Sequence, residues 1–223
     1  MESESALVKV HLEVLGSRQN IVLKQVGPIL ARRGCYLAGG TGLALYLGHR
    51  KSVDLDFFSP HPIGDMLRVA DSLRTEGVPI VVETVGRGTL HGTIRGIRTI
   101  LLEYRYSNLK APRLIPQFGC LLASPEDIAA MKLSAVAQRG SKKDFIDLYA
   151  LLEKYLSLDE MLNAYRRRYH VKDTLHVLQA LTYFDEADEQ RAPTMLWNVA
   201  WADVKRKLQG CVRETFHRRQ RRK

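Results

Sequence analysis

Two aspartates, Asp54 and Asp56, stand two residues apart in the run Val53-Asp54-Leu55-Asp56-Phe57-Phe58. In a strand, residues i and i+2 share a face. Both carboxylates are therefore expected to meet one cation, or a pair of them, while Val53, Leu55 and Phe57 pack on the other side. Oxygen-only donors suit a hard ion such as Mg²⁺ or Mn²⁺, of the kind that accompanies a triphosphate. Such ions activate an attacking oxygen and neutralise a leaving pyrophosphate. Shortly before this pair comes Gly39-Gly40-Thr41. Glycine lets backbone N–H groups approach a bulky anion, and a helix beginning there adds its positive end and free donors. Thr41 offers a hydroxyl to the same phosphate. Either motif alone is commonplace, but a phosphate turn followed by paired carboxylates points to metal-assisted chemistry on a nucleoside triphosphate (NTP).

Other side chains can join them. Ser52 is expected on the same face as Asp54 and in contact with nucleotide. Arg50 either binds phosphate or pairs with a site carboxylate. Glu103, in Ile100-Leu101-Leu102-Glu103-Tyr104-Arg105, either completes a metal set with Asp54 and Asp56 or pairs with Arg105 or a lysine. His49 has no metal-ligand spacing around it and reads as a loop residue. Lys132 and Arg139 are two helical turns apart and share a face. Lys132 sits among Met131, Leu133 and Ala135, an unusual place for a surface lysine, and is expected to steady the phosphates. The alternative is a lysine whose stem covers the apolar stripe.

The elements that must position these residues follow from periodicity and turn chemistry. Helices are expected over 6–15 and 19–33, a short strand at Cys35–Ala38, and a short helix from Leu43 to Leu47. A strand is expected over 52–58, a covering helix over 65–76, and strands over 79–85, 89–95 and 97–106. The second half is helical. Ser124-Pro125-Glu126-Asp127 starts one helix, Gly140-Ser141 separates it from the next, and Ser157 starts a third running through Arg167. Residues 173–183 and 194–216 complete the set, with Asp185–Pro193 as a polar linker. Trp197 and Trp201 read as core residues on the last helix. The expected class is α+β: a mixed sheet flanked by helices, followed by a helical part.

In order along the chain, Gly39-Gly-Thr-Gly-Leu-Ala-Leu, His49-Arg-Lys-Ser-Val-Asp-Leu-Asp-Phe-Phe, Ser124-Pro-Glu-Asp-Ile-Ala-Ala-Met-Lys-Leu-Ser-Ala and Lys143-Asp-Phe-Ile-Asp-Leu-Tyr-Ala-Leu-Leu resemble the AbiEii/AbiGii nucleotidyltransferase toxins of the DNA polymerase β-like superfamily. Leu181-Thr-Tyr-Phe-Asp-Glu-Ala-Asp is also similar to them. The resemblance covers most of residues 20–208. It implies a nucleotidyltransferase domain over 1–120, a helical domain over 121–217 that completes the active-site cleft, and a basic tail over 218–223. It implies that NTP and Mg²⁺ are bound, that an antitoxin is a partner, and that the setting is abortive infection in phage defence. It makes one of Asp144 and Asp147 an active-site residue that orients Lys132 or binds nucleotide; both remain candidates, with Arg139 beside them. Gly42 departs from the Ala or Ser common in the family after Gly-Gly-Thr.

The chain of 223 residues carries a formal charge of +10, which favours a polyanionic partner. Arg166-Arg167-Arg168 and Arg218-Arg219-Gln220-Arg221-Arg222-Lys223 hold much of it, although a solvated face explains a charge run equally well. Three widely spaced cysteines form no zinc set and are expected to be free thiols in a reducing cytoplasm. The acidic start Met1–Ser5 has no apolar core of a signal peptide, and no apolar run is long enough to span a membrane. The reaction expected is transfer of NMP from NTP to an acceptor hydroxyl, with the 3′ end of tRNA as the acceptor the resemblance favours. Nucleotidylation or phosphorylation of a protein, modification of a small molecule, and a silent fold that binds nucleotide or RNA are the alternatives.

Overall fold

The structure is a computed structural model and describes residues 10–221, with only the backbone of Arg219. The acidic start, residues 6–9 of the first expected helix, and Arg222 and Lys223 of the basic tail lie outside the described residues. The chain divides into two compact units. Among the described residues the first comprises 10–48, 52–105 and 111–123, and the second comprises 49–51, 106–110 and 124–221.

The first unit is built on a seven-stranded mixed sheet. Its elements are α1 (Ser17–Arg32), β1 (Tyr36–Leu37), α2 (Gly39–Leu47), β2 (Leu55–Ser59), α3 (Met66–Thr75), β3 (Ile80–Gly86), β4 (Thr89–Ile94), β5 (Ile97–Glu103), β6 (Arg113–Ile115) and β7 (Cys120–Leu122). The strand order is β3-β4-β5-β2-β1-β7-β6. β2 runs parallel to β5 and antiparallel to β1, and β1 runs parallel to β7. The core face of β2 carries Leu55 and Phe57, both fully buried, and Val22, Leu23, Val26 and Leu30 fill the inner stripe of α1. Ile21, beside that stripe, is half exposed. Gly27 lets α1 settle closely on the sheet, since a Cβ there would collide with the Phe118 carbonyl. The β6–β7 hairpin has no strong alternation in sequence and was not anticipated.

Three departures have physical causes. Leu12–Val14 form a single 3₁₀ turn rather than the end of a helix. α2 starts at the glycines, four residues before Leu43, because Gly39 and Gly40 continue directly from the β1 turn. β2 starts at Leu55 rather than at residue 52. The backbone just upstream is already spent elsewhere: Lys51 N–H donates to the Thr194 carbonyl, Ser52 N–H to the Val14 carbonyl, and Arg50 bridges to Met195. Each backbone donor is used once, so Asp54 lies just before the strand.

The second unit is helical: α4 (Pro125–Arg139), α5 (Lys142–Lys154), α6 (Leu158–Tyr169), α7 (Leu175–Ala180), α8 (Asp185–Asp188) and α9 (Trp201–Gln220). The expected starts at Ser124 and Ser157 hold. Each hydroxyl accepts from the N–H three residues on, and Ser157 N–H donates in turn to the Glu160 carboxylate, an arrangement that contributes about 1 kcal/mol per cap. Gly140 ends α4 in the left-handed region at φ +52°. The last helix begins at Trp201 and not at 194, so Trp197 precedes it and packs edge-on against His49. Among the described residues no helix is long and apolar enough to cross a membrane.

Candidate active site

In the first unit, the amino end of α2 and the aspartate segment meet. Gly39 has φ +62°, and a Cβ on it would stand 2.7 Å from Asp56 Oδ2. The Asp56 carboxylate therefore lies directly over the first residue of the helix. That end carries the helix's unsatisfied N–H donors and the positive end of its dipole, and the residue before it, Ala38, has no side chain able to cap them. Ala38 N–H donates to the Asp56 carbonyl at 3.1 Å, which fixes the two chains together. Asp54 and Asp56 are both half-buried.

Thr41 and Ser52, both expected on phosphate, lie side by side. Their hydroxyls lie 2.7 Å apart, and the Thr41 hydroxyl also bonds the Asp54 carbonyl. Glu103 is engaged elsewhere. In the β2–β5 register it sits opposite Ser59, while Asp56 sits opposite Ile100. Side chains alternate between faces, so Glu103 and Asp56 point to opposite faces of the sheet. Its carboxylate accepts from Ile63 N–H at 2.7 Å and from Arg105 at 2.6 Å. The Arg105 hydrogen bond, then that of Ile63, holds its pKa below the usual carboxylate range. Of the two readings of Glu103 the structure shows the Arg105 pairing. Among the described residues no three His, Cys, Asp or Glu side chains gather as a ready-made metal cluster. Two carboxylates still fit Mg²⁺, which is commonly held by one or two carboxylates plus substrate phosphates.

In the second unit, the other candidates form one ion network, buried except for Arg139, which reaches it from an exposed position. Asp147, fully buried, accepts from Arg50 through Nε at 2.7 Å and Nη2 at 2.9 Å, from His49 Nε2 at 2.8 Å and from Lys132 Nζ at 2.5 Å. Lys132 also donates to Asp144 Oδ1 at 2.8 Å. Asp144 further accepts from Arg139 Nε at 3.0 Å and the Ser141 hydroxyl at 2.5 Å. Lys132 is 5% exposed, so the expected lysine in an apolar setting is a buried cation bridging two acids. Both of the acids left open by sequence are in the network. Arg50, Lys132, Asp144 and Asp147 cancel in charge, which is how such burial is tolerated.

Burial alone would raise both carboxyl pKa values. Lys132, Arg139 and Ser141 outweigh it at Asp144 and hold it at about 2. Arg50, then Lys132 and His49, hold Asp147 well below the usual range. Burial would lower Lys132, but Asp147 and Asp144 together raise it. His49 is pushed down by burial, only partly offset by Asp147, so it is neutral near pH 7. Asp147, ionised, can only accept, so the His49 proton is on Nε2. Its Nδ1 has no hydrogen-bond partner among the described residues. The sequence reading missed this histidine. It is fully buried and serves with Arg50 to fasten the segment 49–51 to α5.

The arginine cluster is also redistributed. Arg168 is buried and pairs with Asp127, which accepts from the N–H groups of Leu109 and Lys110 as well. Arg166 bonds Asn163, Thr174 and the Lys172 carbonyl. Only Arg167 of the three is fully outward, so this cluster is mainly internal scaffolding and not a basic face.

Comparisons with known proteins bear on the family and the fold. The family model described as "Nucleotidyl transferase AbiEii toxin, Type IV TA system" matches residues 29–91 and 62–217. An uncharacterized protein of Aquifex aeolicus is 35% identical over 179 residues, 79% of this chain and 86% of that protein. Among solved structures, JHP933 from Helicobacter pylori superposes with a TM-score of 0.58 at 15% identity, covering 96% of both chains. MenT4, a nucleotidyltransferase toxin of Mycobacterium tuberculosis, superposes with a TM-score of 0.57 at 14% identity over 86% of this chain and 82% of that one. At such identities these two likenesses establish the fold alone, and the fold is that of a nucleotidyltransferase.

Proposed function

Since the chain belongs to the AbiEii nucleotidyltransferase toxin family of Type IV toxin–antitoxin systems, we propose that it transfers NMP from an NTP to an acceptor hydroxyl at the amino end of α2. The observation that carries this reading is the Asp56 carboxylate lying over Gly39, 2.7 Å from where a Cβ would be. A cation-binding acid beside an anion-binding helix end is the juxtaposition that a metal-bound triphosphate needs. Held by Asp54 and Asp56, Mg²⁺ would offset the charge that develops on the phosphates. The backbone N–H groups at Gly39 and Gly40 orient the triphosphate. The acceptor oxygen forms a bond to the α-phosphorus, the bond to the β-phosphate oxygen breaks, and pyrophosphate leaves. The acceptor's proton passes to solvent or a site carboxylate.

Lys132, Arg139, Asp144 and Asp147 act in this reading as the hub that fixes His49–Lys51, whose chain continues directly into Ser52–Asp56. The acceptor is RNA, with a tRNA 3′ end favoured, in keeping with the charge of +10. An antitoxin protein is the expected partner, and the cytoplasm the expected location. The test is transfer of α-³²P-labelled NTPs, one at a time, to total bacterial RNA with Mg²⁺. Wild type is run beside the double variant Asp54→Ala, Asp56→Ala. Label on tRNA-sized RNA, lost in the variant, supports the reading. Label that appears only on protein, or none at all, overturns the RNA acceptor.

A further inference from the structure

We infer that Thr41 and Ser52 are positioning residues that clamp the Asp54 backbone for metal binding, and not ligands of the triphosphate. This rests on the reading of Asp54 and Asp56 as the metal acids. The proton count decides the assignment. Each hydroxyl has one proton. The Asp54 carbonyl can only accept, so the Thr41 proton is committed to it. The 2.7 Å contact between the two hydroxyls then requires Ser52 to donate to Thr41. Neither residue keeps a proton for a phosphate oxygen, and burial at 1% for Thr41 and 8% for Ser52 removes both from the surface.

The clamp also answers a need of the segment. Asp54 lies just before β2, whose ladder to β5 opens at Leu55, so its carbonyl receives no bond from the sheet. The side chains around it supply little packing: Lys51 is exposed and Val53 is 70% exposed. The buried Thr41 hydroxyl, carried on the first turn of α2, gives this carbonyl a partner. The same turn thereby sets both acids, Asp56 through contact with Gly39 and Asp54 through Thr41. Partners of this kind tune metal affinity without touching the ion.

The test compares Thr41→Val, which keeps the shape and loses the proton, with Thr41→Ser, which keeps it. Mn²⁺ alone is titrated into the full chain and followed by electron paramagnetic resonance. ATP, GTP, CTP and UTP binding is measured separately in EDTA. The expected result is Mn²⁺ binding weakened about tenfold or more by Thr41→Val and restored to within about threefold by Thr41→Ser. Nucleotide affinity in EDTA is unchanged. Ser52→Ala, a smaller perturbation, weakens Mn²⁺ in the same direction and serves if Thr41→Val does not fold. Mn²⁺ affinity equal to wild type in these variants overturns the clamp. So does a loss of metal-free nucleotide binding with Mn²⁺ retained, the signature of direct phosphate contact. Failure of the underlying reading looks different: wild type itself then binds Mn²⁺ no better than Asp54→Ala.

Discussion

Replacing Asp147 by Asn removes the charge at the centre of the buried network while keeping the side chain's shape. Asp147 takes two bonds from Arg50, one from His49 and one from Lys132, and Arg50 and Lys132 are nearly buried. With the acid gone, Arg50 loses the carboxylate that takes its Nε and Nη2 protons, while Lys132 keeps Asp144. Removing one partner of a buried pair costs about 3–5 kcal/mol. At about 2–4 °C per kcal/mol for a chain of this size, the melting temperature falls by roughly 6–20 °C. Thermal unfolding followed by circular dichroism reads this directly. A paired variant, Arg50→Met with Asp147→Leu, takes both charges away together and leaves Lys132 matched by Asp144. It is expected to recover more than half of the loss. If Asp147→Asn melts within about 2 °C of wild type, the hub reasoning is wrong and Asp147 is free for direct chemistry.

Further outcomes follow from the same geometry. Asp144 and Asp147 have depressed pKa values, so their stabilisation is present above about pH 4, the unfolded carboxyl value, and is lost as pH falls through the lowered values, about 2 for Asp144. For Asp144, held at about 2, this amounts to ~2 kcal/mol, and urea melts between pH 5 and 2.5 should steepen accordingly in wild type and flatten in Asp144→Asn. Gly39→Ala meets both a left-handed φ and the Asp56 carboxylate. It should cost about 1–2 kcal/mol and lower transfer more than stability explains, as rate assays beside melts will show. Glu103→Gln should keep transfer within about threefold of wild type, because its carboxylate serves the loop at Ile63 and Arg105. A large loss that extra metal relieves would refute the register argument.

Much of the site was legible from residue type and short spacing, and the reasons for the gaps are tertiary. Gly39, Gly40, Asp54 and Asp56 are close in sequence, and their types suggested the meeting of helix end and carboxylate that the fold shows at Gly39 and Asp56. Lys132 was visible because a cation among Met131, Leu133 and Ala135 violates the apolar pattern, which means a buried partner. His49 left no such mark, since its partner Asp147 is 98 residues away. The early start assigned to β2 failed for the same reason: the backbone at Arg50 and Lys51 pairs with residues 194–195, which no local periodicity reveals. Arg168 could have been found. It follows Met161 and Tyr165 at helical spacing on the buried side of α6, where an arginine needs an acid, and Asp127 is that acid.

The decisive measurement is pyrophosphate release from each NTP with Mg²⁺ and bacterial RNA, in wild type and in Asp56→Asn. Release by wild type that falls at least about 100-fold in the variant, with the melting temperature unchanged within about 3 °C, is the predicted result. Equal release by both proteins would contradict a metal–triphosphate site at the amino end of α2.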